Sequence, residues 1–366
     1  MNILHVSGVA NWGGGENQIE NLCYELTFNN KETNQFIICV KNSEFHNRLK
    51  KSNYHFYSAP LRIKIDIRFV LKIISVCKSK KIDIIHIHDP TALTLCVLAD
   101  IFYQKLPPFI YNKKTAFPIK QKKKTLYKYN YKKIKKIICV SNAVKNITSK
   151  SIPDINKLTV IHDGLRFDKM DKKAPFSLKE KYQIDSKKTI IGHIGNHIRA
   201  KNLLTFIDVI NEIVNVKKIT QFHFIQIGSF TERTPVYLNK VKELNLEKHV
   251  TFTGFIDDAS AFLPQFNIFL FTSQSEGLGQ VLIEAYYSKI PVVATNAGGI
   301  PEIVLDKKNG LLTEIGDHKN LAKNLISINK NEFTPNFDSQ FLLNFSSKAM
   351  AEKTLQLYKE LVNINK

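Results

Sequence analysis

The sequence predicts an α/β fold of two doubly wound parallel-sheet domains, and three observations carry that prediction. The chain has 366 residues, 43% apolar and 23% charged, which suits two globular cores of ordinary size. Short β-branched apolar runs alternate with amphipathic stretches of helical period. A polar stretch, residues 166–188, divides that alternation into two series and reads as a linker with one short helical piece.

In the first series the apolar runs predict strands over 2–6, 35–40, 83–88, 108–111, 136–140 and 158–162. Helical spacing of apolar residues predicts helices over 16–28, 66–78, 91–103, 121–131 and 142–150. The second series predicts strands over 189–194, 223–227, 250–254, 268–271 and 291–294, with helices over 203–216, 235–244, 280–288 and 320–328. The tail, 347–362, is a helix by period and charge. Strands and helices alternating in this way imply parallel sheets covered on both faces. A cleft between the strand carboxyl ends of two such domains is where ligands are expected. No apolar run reaches the roughly 18–20 residues of a membrane-crossing helix. The start, Met1-Asn2-Ile3-Leu4-His5-Val6, lacks a basic leader, so a cytoplasmic location is expected.

Net charge is +21, and it is unevenly placed. Residues 1–170 hold 29 Lys/Arg and 12 Asp/Glu, and the remainder hold 24 and 20. From Lys113 to Lys136 there are eleven lysines and no acid. Leu126, Tyr127, Tyr131 and Ile134 alternate with them at roughly helical spacing, which predicts a basic amphipathic helix. Lys122, Lys123, Lys124, Lys132 and Lys133 are its candidate contacts with an anionic membrane surface or anionic acceptor. A solvated lysine-rich face is the plainer reading, since Lys, Asn and Ile are frequent throughout. No recognisable nucleic-acid-binding motif supports a nucleic-acid partner. The five cysteines lie among apolar neighbours without CxxC spacing, as reduced core thiols do.

The strongest chemical signal is Ser275-Glu276-Gly277-Leu278-Gly279-Gln280-Val281-Leu282-Ile283-Glu284-Ala285. It follows a predicted strand and opens a predicted helix. Glycines at 277 and 279 let backbone N–H groups approach a ligand, and a helix amino end favours phosphate. Glu276 and Glu284 can grip hydroxyls from different heights. A second strand-to-glycine turn follows at Ile290–Val304, with Gly298-Gly299-Ile300-Pro301-Glu302. Asp257-Asp258 reads as a helix start and not as a metal site.

This series resembles the retaining GT-B glycosyltransferases, specifically the large family 4, in which Glu, seven residues and Glu mark the donor site before Gly-Gly-Ile-Pro-Glu. The resemblance extends to Trp12-Gly13-Gly14-Gly15-Glu16, Asp83-Ile84-Ile85-His86-Ile87-His88, Val140-Ser141-Asn142, His162-Asp163-Gly164, Gly195 to Lys201-Asn202, Gly228 and Asn309-Gly310-Leu311-Leu312. It implies two Rossmann-like domains facing across a cleft. Residues 1–170 would bind the acceptor and 171–346 the nucleotide sugar, and the helix 347–366 would pack back on the first domain.

The same resemblance implies roles. Glu284 would bind the donor ribose, and Glu276 hydroxyls of the transferred sugar. Backbone at Gly277, Leu278 and Gly279 would hold sugar and diphosphate. Lys201 would neutralise the leaving diphosphate, His88 would contact the donor sugar, and the loop carrying Gly14 and Gly15 would close over both substrates. The family usually has Arg directly after the Gly195 position. Here Asn196 stands there, so Arg199 or His197 is a candidate replacement. The implied enzyme is a retaining hexosyl- or N-acetylhexosaminyl-transferase, with no cofactor and no metal, using a nucleoside-diphosphate sugar. Its acceptor would be a glycan or lipid-linked anion of the cell surface, met peripherally at the inner face of the membrane. The alternatives are a silent GT-B sugar-nucleotide-binding protein and a GT-B epimerase.

Overall fold

The unbroken apolar runs become parallel strands buried on both faces, as crossover helices on either side of a sheet require. The computed structural model describes residues 1–29 and 32–364. The chain divides into two units, one running to Arg166 and resuming at Leu343, the other Phe167–Leu342.

The first unit holds β1 (Asn2–Val6), β2 (Asn34–Val40), β3 (His55–Ala59), β4 (Ile84–Ile87), β5 (Phe109–Lys113), β6 (Ile134–Cys139) and β7 (Leu158–Val160). Their spatial order is β3-β2-β1-β4-β5-β6-β7, every pairing parallel. Helices Gly14–Phe28, Glu44–Leu49, Ile67–Ser79, Pro90–Tyr103, Lys123–Tyr129 and Asn142–Ser149 make the crossovers. The helix Ser347–Ile364 belongs to this unit. Its Met350, Ala351, Tyr358 and Leu361 pack with Leu22 and Leu26 of the helix Gly14–Phe28 and with Ile3, Ile84 and Ile110 of the sheet. Gly164 makes that return possible, because a Cβ there would lie 2.3 Å from the Ser346 carbonyl oxygen.

The second unit holds β8 (Thr189–Ile194), β9 (Phe222–Ile227), β10 (Val250–Phe252), β11 (Ile268–Phe271), β12 (Val292–Thr295) and β13 (Gly310–Thr313). Their order is β10-β9-β8-β11-β12-β13, again all parallel. The predicted helix 203–216 is an α-helix over Leu203–Asn211 that widens into a π-type stretch, Glu212–Val216. Asp258 immediately precedes a 3₁₀ helix, Ala259–Gln265, as its reading as a helix start anticipates. All five cysteines are buried thiols.

Each sheet reverses its strand order once, between β1 and β4 in the first unit and between β8 and β11 in the second. Loops leaving the carboxyl ends of such a pair diverge to opposite faces and open a ligand-sized crevice. His88 follows β4, while Lys201 and Glu276 lie on the loops that follow β8 and β11.

Candidate functional site

At the reversal in the second unit, the loops after β8 and β11 are laced together. Gln274 N donates to the Ala200 carbonyl at 2.8 Å. Gln274 Nε2 donates to the Arg199 carbonyl at 2.9 Å, and Thr272 Oγ1 to the Lys201 carbonyl at 3.0 Å. The lacing brings two residues 75 positions apart into an ion pair, Lys201 Nζ to Glu276 Oε2 at 2.8 Å. Ser273 Oγ donates to the same oxygen at 3.3 Å. The ammonium also lies 4.5 Å from the centroid of the Phe271 ring, a favourable cation–π placement.

The Glu276 turn is held from behind by the second glycine turn. Gly299 N donates to the Glu276 carbonyl at 3.1 Å. A Cβ on Gly298, whose φ is +56°, would lie 1.9 Å from that carbonyl oxygen, and one on Gly299 would lie 2.2 Å from the Gly277 carbonyl oxygen. Two backbones therefore touch where only glycine fits. Gly279, with φ +94°, turns the chain into the helix Gln280–Tyr287, with Gly277 and the buried Leu278 at its mouth.

Glu284 stands five residues into that helix, half-buried, and no described residue hydrogen-bonds its carboxyl group. Desolvation, with a smaller contribution from Asp258, pushes it up to about 8. Burial therefore favours its neutral form, which can both donate and accept a hydrogen bond.

Asn196 is exposed, and its Oδ1 accepts from Ser229 N at 2.9 Å, so it joins the β8 and β9 loops. His197 does not replace the usual arginine. It is fully buried, with Nδ1 on Thr234 Oγ1 at 2.9 Å and Nε2 on Gln226 Oε1 at 2.7 Å. Arg199 is exposed at the start of the single 3₁₀ turn that ends in Lys201. Phe230 and Phe255, beyond the ends of β9 and β10, expose 50% and 71% of their surfaces, which makes them available for stacking.

At the reversal in the first unit, His88 is turned inward, contrary to the expectation of a ring presented to substrate. It is 4% exposed, and its Nε2 shares a hydrogen bond with His5 Nδ1 at 2.9 Å. His5 Nε2 is taken by Gln35 Oε1 at 2.7 Å, and His86 Nδ1 pairs with the Tyr358 hydroxyl at 2.6 Å. These three imidazoles bring ring nitrogens within 4.8 Å of one another. Burial lowers all three, His5 to about 4, with further lowering from the Lys114 charge. They form a buried cluster in which His5 and His88 bond each other and His86 bonds Tyr358, with the lowered values favouring neutral rings. Asp89 is a helix cap and no nucleophile: Oδ1 accepts from Thr91 N and Ala92 N, and Oδ2 from Gly8 N at 2.7 Å.

Gly14 and Gly15 form the first turn of a helix and not a loop. Lys114 Nζ donates to the Gly15 carbonyl at 2.8 Å. In the sequence Lys114 is one base of the basic run, and only its position just past a predicted strand signals this contact. The long basic amphipathic helix is also corrected. Only Lys123–Tyr129 is helical, and Ile134 lies on β6. Lys122, Lys123, Lys124 and Lys132 are exposed, but Lys133 turns inward to the Leu106 carbonyl at 2.5 Å.

The chain matches two family descriptions, "Glycosyltransferase Family 4" over residues 12–169 and "Glycosyl transferases group 1" over residues 188–331. It is 23% identical to the N-acetyl-alpha-D-glucosaminyl L-malate synthase of Bacillus anthracis over 73% of this chain and 70% of that protein. It is 23% identical to the UDP-Gal:alpha-D-GlcNAc-diphosphoundecaprenol alpha-1,3-galactosyltransferase of Escherichia coli over 90% and 89%. The crystal structure of Anabaena HepE with UDP and glucose shares its fold, with TM-score 0.83 at 18% identity, over 98% of this chain and all of that one. The GT-B architecture is thereby established for this chain.

Proposed function

The chain belongs to glycosyltransferase family 4, the group 1 glycosyl transferases, and from that premise we propose that it moves a sugar, with retention at the anomeric carbon, from a nucleoside-diphosphate sugar to a hydroxyl of an anionic, membrane-held glycan acceptor. The observation that carries this reading is the Lys201–Glu276 pair at the strand-order reversal, beside a helix mouth built of glycine.

The chemistry follows from what each group can do. A neutral Glu284 can accept from one ribose hydroxyl and donate to the other. The helix mouth at Gly277–Gly279 offers positive potential to the diphosphate. Lys201 supplies a cation at the oxygen where charge grows as the glycosidic bond breaks, so the reading needs no divalent metal. Glu276, relieved of part of its ion pair as phosphate approaches the lysine, can take sugar hydroxyls. Arg199 is the available second phosphate ligand. The exposed Phe230 and Phe255 rings can stack on the base.

Retention by a covalent double displacement needs a free carboxylate on the far face of the sugar. In this reading Glu276 is used first by Lys201 and then by sugar hydroxyls, and Asp89 caps its helix. A same-face route fits better, in which the leaving phosphate oxygen takes the acceptor proton.

The two relatives support an anionic acceptor, since one is named for malate and the other for a diphosphate-linked lipid. A place in cell-surface glycan assembly, with the protein peripheral to the membrane, accords with the excess of bases in residues 1–170. No helix among the described residues is long and apolar enough to cross a membrane.

Thermal shift against a panel of nucleotide sugars, followed by NMR of the product, tests the reading. Stabilisation by one donor and an axial-to-axial outcome at the anomeric carbon is expected. Donor binding without hydrolysis or transfer would indicate a silent binder. Interconversion of donor sugars without acceptor would indicate an epimerase.

A further inference from the structure

Residues 61–72 read Leu-Arg-Ile-Lys-Ile-Asp-Ile-Arg-Phe-Val-Leu-Lys, and the fold leaves four of their apolar side chains in water. The segment leaves the carboxyl end of β3 and enters the helix Ile67–Ser79. Ile63 is 69% exposed, Ile65 54%, Ile67 51% and Leu71 57%. The helix already buries a full apolar face through Phe69, Val70, Ile73 and Val76. Ile67 and Leu71, one turn apart, therefore form a second and outward apolar stripe that continues the two loop isoleucines. Scattered exposed aliphatic residues are ordinary, but four joined along one short segment make a patch.

Bases interleave with that patch. Arg62, Lys64 and Arg68 are exposed, and Lys72 is half-buried. The one acid, Asp66, is 5% exposed and caps the helix. Its Oδ1 accepts from Arg68 N, and Arg68 Nε and Nη2 reach its two oxygens at 2.9 and 2.7 Å. Its charge is spent on shaping the turn. Beside the isoleucines lies a cavity of about 320 Å³ whose lining includes Lys41, Asn42, Arg62 and Arg68, at the carboxyl ends of β2 and β3.

We propose that the 61–72 segment is a membrane-docking element that inserts Ile63, Ile65, Ile67 and Leu71 beneath the headgroups of an anionic bilayer, with Arg62, Lys64 and Lys41 taking lipid phosphate. Alternation of aliphatic and basic side chains suits that interface, where one kind of group needs acyl chain and its neighbour needs phosphate. A protein partner is less well served, because the patch holds no Trp or Tyr anchor. The proposal deepens the reading of a membrane-held acceptor and rests on it, and it moves the contact from the lysine run to a different part of the same unit.

The test is flotation of the full chain with phosphatidylcholine vesicles, with and without phosphatidylglycerol. The parent should bind only the anionic vesicles. Ile63→Ser with Ile65→Ser should lower partitioning by about tenfold or more, and Arg62→Gln with Lys64→Gln should weaken it and flatten its salt dependence. Lys122→Gln with Lys123→Gln and Lys124→Gln should retain most of it. No binding by the parent, or full binding by the isoleucine variant, overturns the proposal. So does an isoleucine variant that changes oligomeric state in lipid-free light scattering, which would mark a contact between copies. Donor hydrolysis, measured alongside, should be equal in parent and isoleucine variant. Its absence in both, with vesicle binding intact, would count against the transferase reading and not against this one.

Discussion

Lys201 Nζ lies 2.8 Å from Glu276 Oε2, with the two side chains 16% and 19% exposed. Each is the other's only ion-pair partner among the described residues, and under the proposed function phosphate and sugar would compete for the two groups. Lys201→Ala should cut turnover by roughly 10²–10³-fold, the scale for a group that meets developing charge. Nucleotide affinity should fall much less. The same variant leaves Glu276 half-desolvated without a counter-ion and should cost about 1–2 kcal/mol of stability after allowance for its exposure. Steady-state kinetics and thermal unfolding check the two parts. Unchanged turnover would remove Lys201 from the chemistry.

Glu284 gives a prediction whose sign is unusual for a carboxyl group. Its value in the folded chain is about 8, against an ordinary 4.5. Between those values the folded chain holds a proton that the unfolded chain has released. Stability from this group is therefore full below pH 4.5 and is lost as pH rises towards 8. Glu284→Gln, an imitation of the neutral acid, should unfold at a higher temperature than the parent, by a margin that widens across that window. Its nucleotide affinity should stay near the parent's, because the amide offers one acceptor and one donor as the neutral acid does. A pH series of melting curves, with and without UDP, separates the two effects.

Most of the sheet was legible because a parallel strand covered on both faces must be an apolar run. The exceptions obey the same physics. β3 is His-Phe-Tyr-Ser-Ala at a sheet edge, half-exposed and without a β-branched residue, and β13 is only four residues and opens on Gly310. The basic run misled for a different reason. Lys128, Lys133 and Lys136 spend their ammonium groups on backbone carbonyls elsewhere in the unit, and nothing local in a sequence marks a lysine as partnered. The turn that opens the helix Gln280–Tyr287 was legible through glycine spacing. The inward turn of His88 was not, because it depends on His5, 83 positions away.

The imidazole cluster makes the first unit sensitive to acid. His5 is lowered to about 4 from 6.5, and His86 and His88 lie well below 6.5, chiefly through burial. Here the unfolded chain binds the protons, so stability is full above pH 6.5 and drains as pH falls towards 4. Each buried imidazole should cost about 1 kcal/mol between neutral pH and pH 5.5. Tyr358→Phe should lower stability further, by about 1–2 kcal/mol, because it strips His86 Nδ1 of its partner. Hydrogen exchange over β1 and β4 as a function of pH reads this directly. Loss of protection on acidification, steeper in the first unit than in the second, is the expected result.

Gly298 tests whether the Glu276 turn depends on the glycine turn behind it. A methyl group there would lie 1.9 Å from the Glu276 carbonyl oxygen, at a backbone φ of +56° that side chains rarely adopt. The neighbouring hydrogen bond from Gly299 N to that carbonyl has no room to survive such a shift. Gly298→Ala should therefore push the Glu276 turn off its support and separate Glu276 from Lys201. A stability loss of about 2 kcal/mol or more is expected from combined overpacking and backbone strain. The strands β11 and β12 remain paired through their own ladder, so circular dichroism should change little while transfer falls to near the Lys201→Ala level. If the variant turned over at the parent rate, the two turns would be independent, and the placement of Glu276 would have to come from the β11 loop alone.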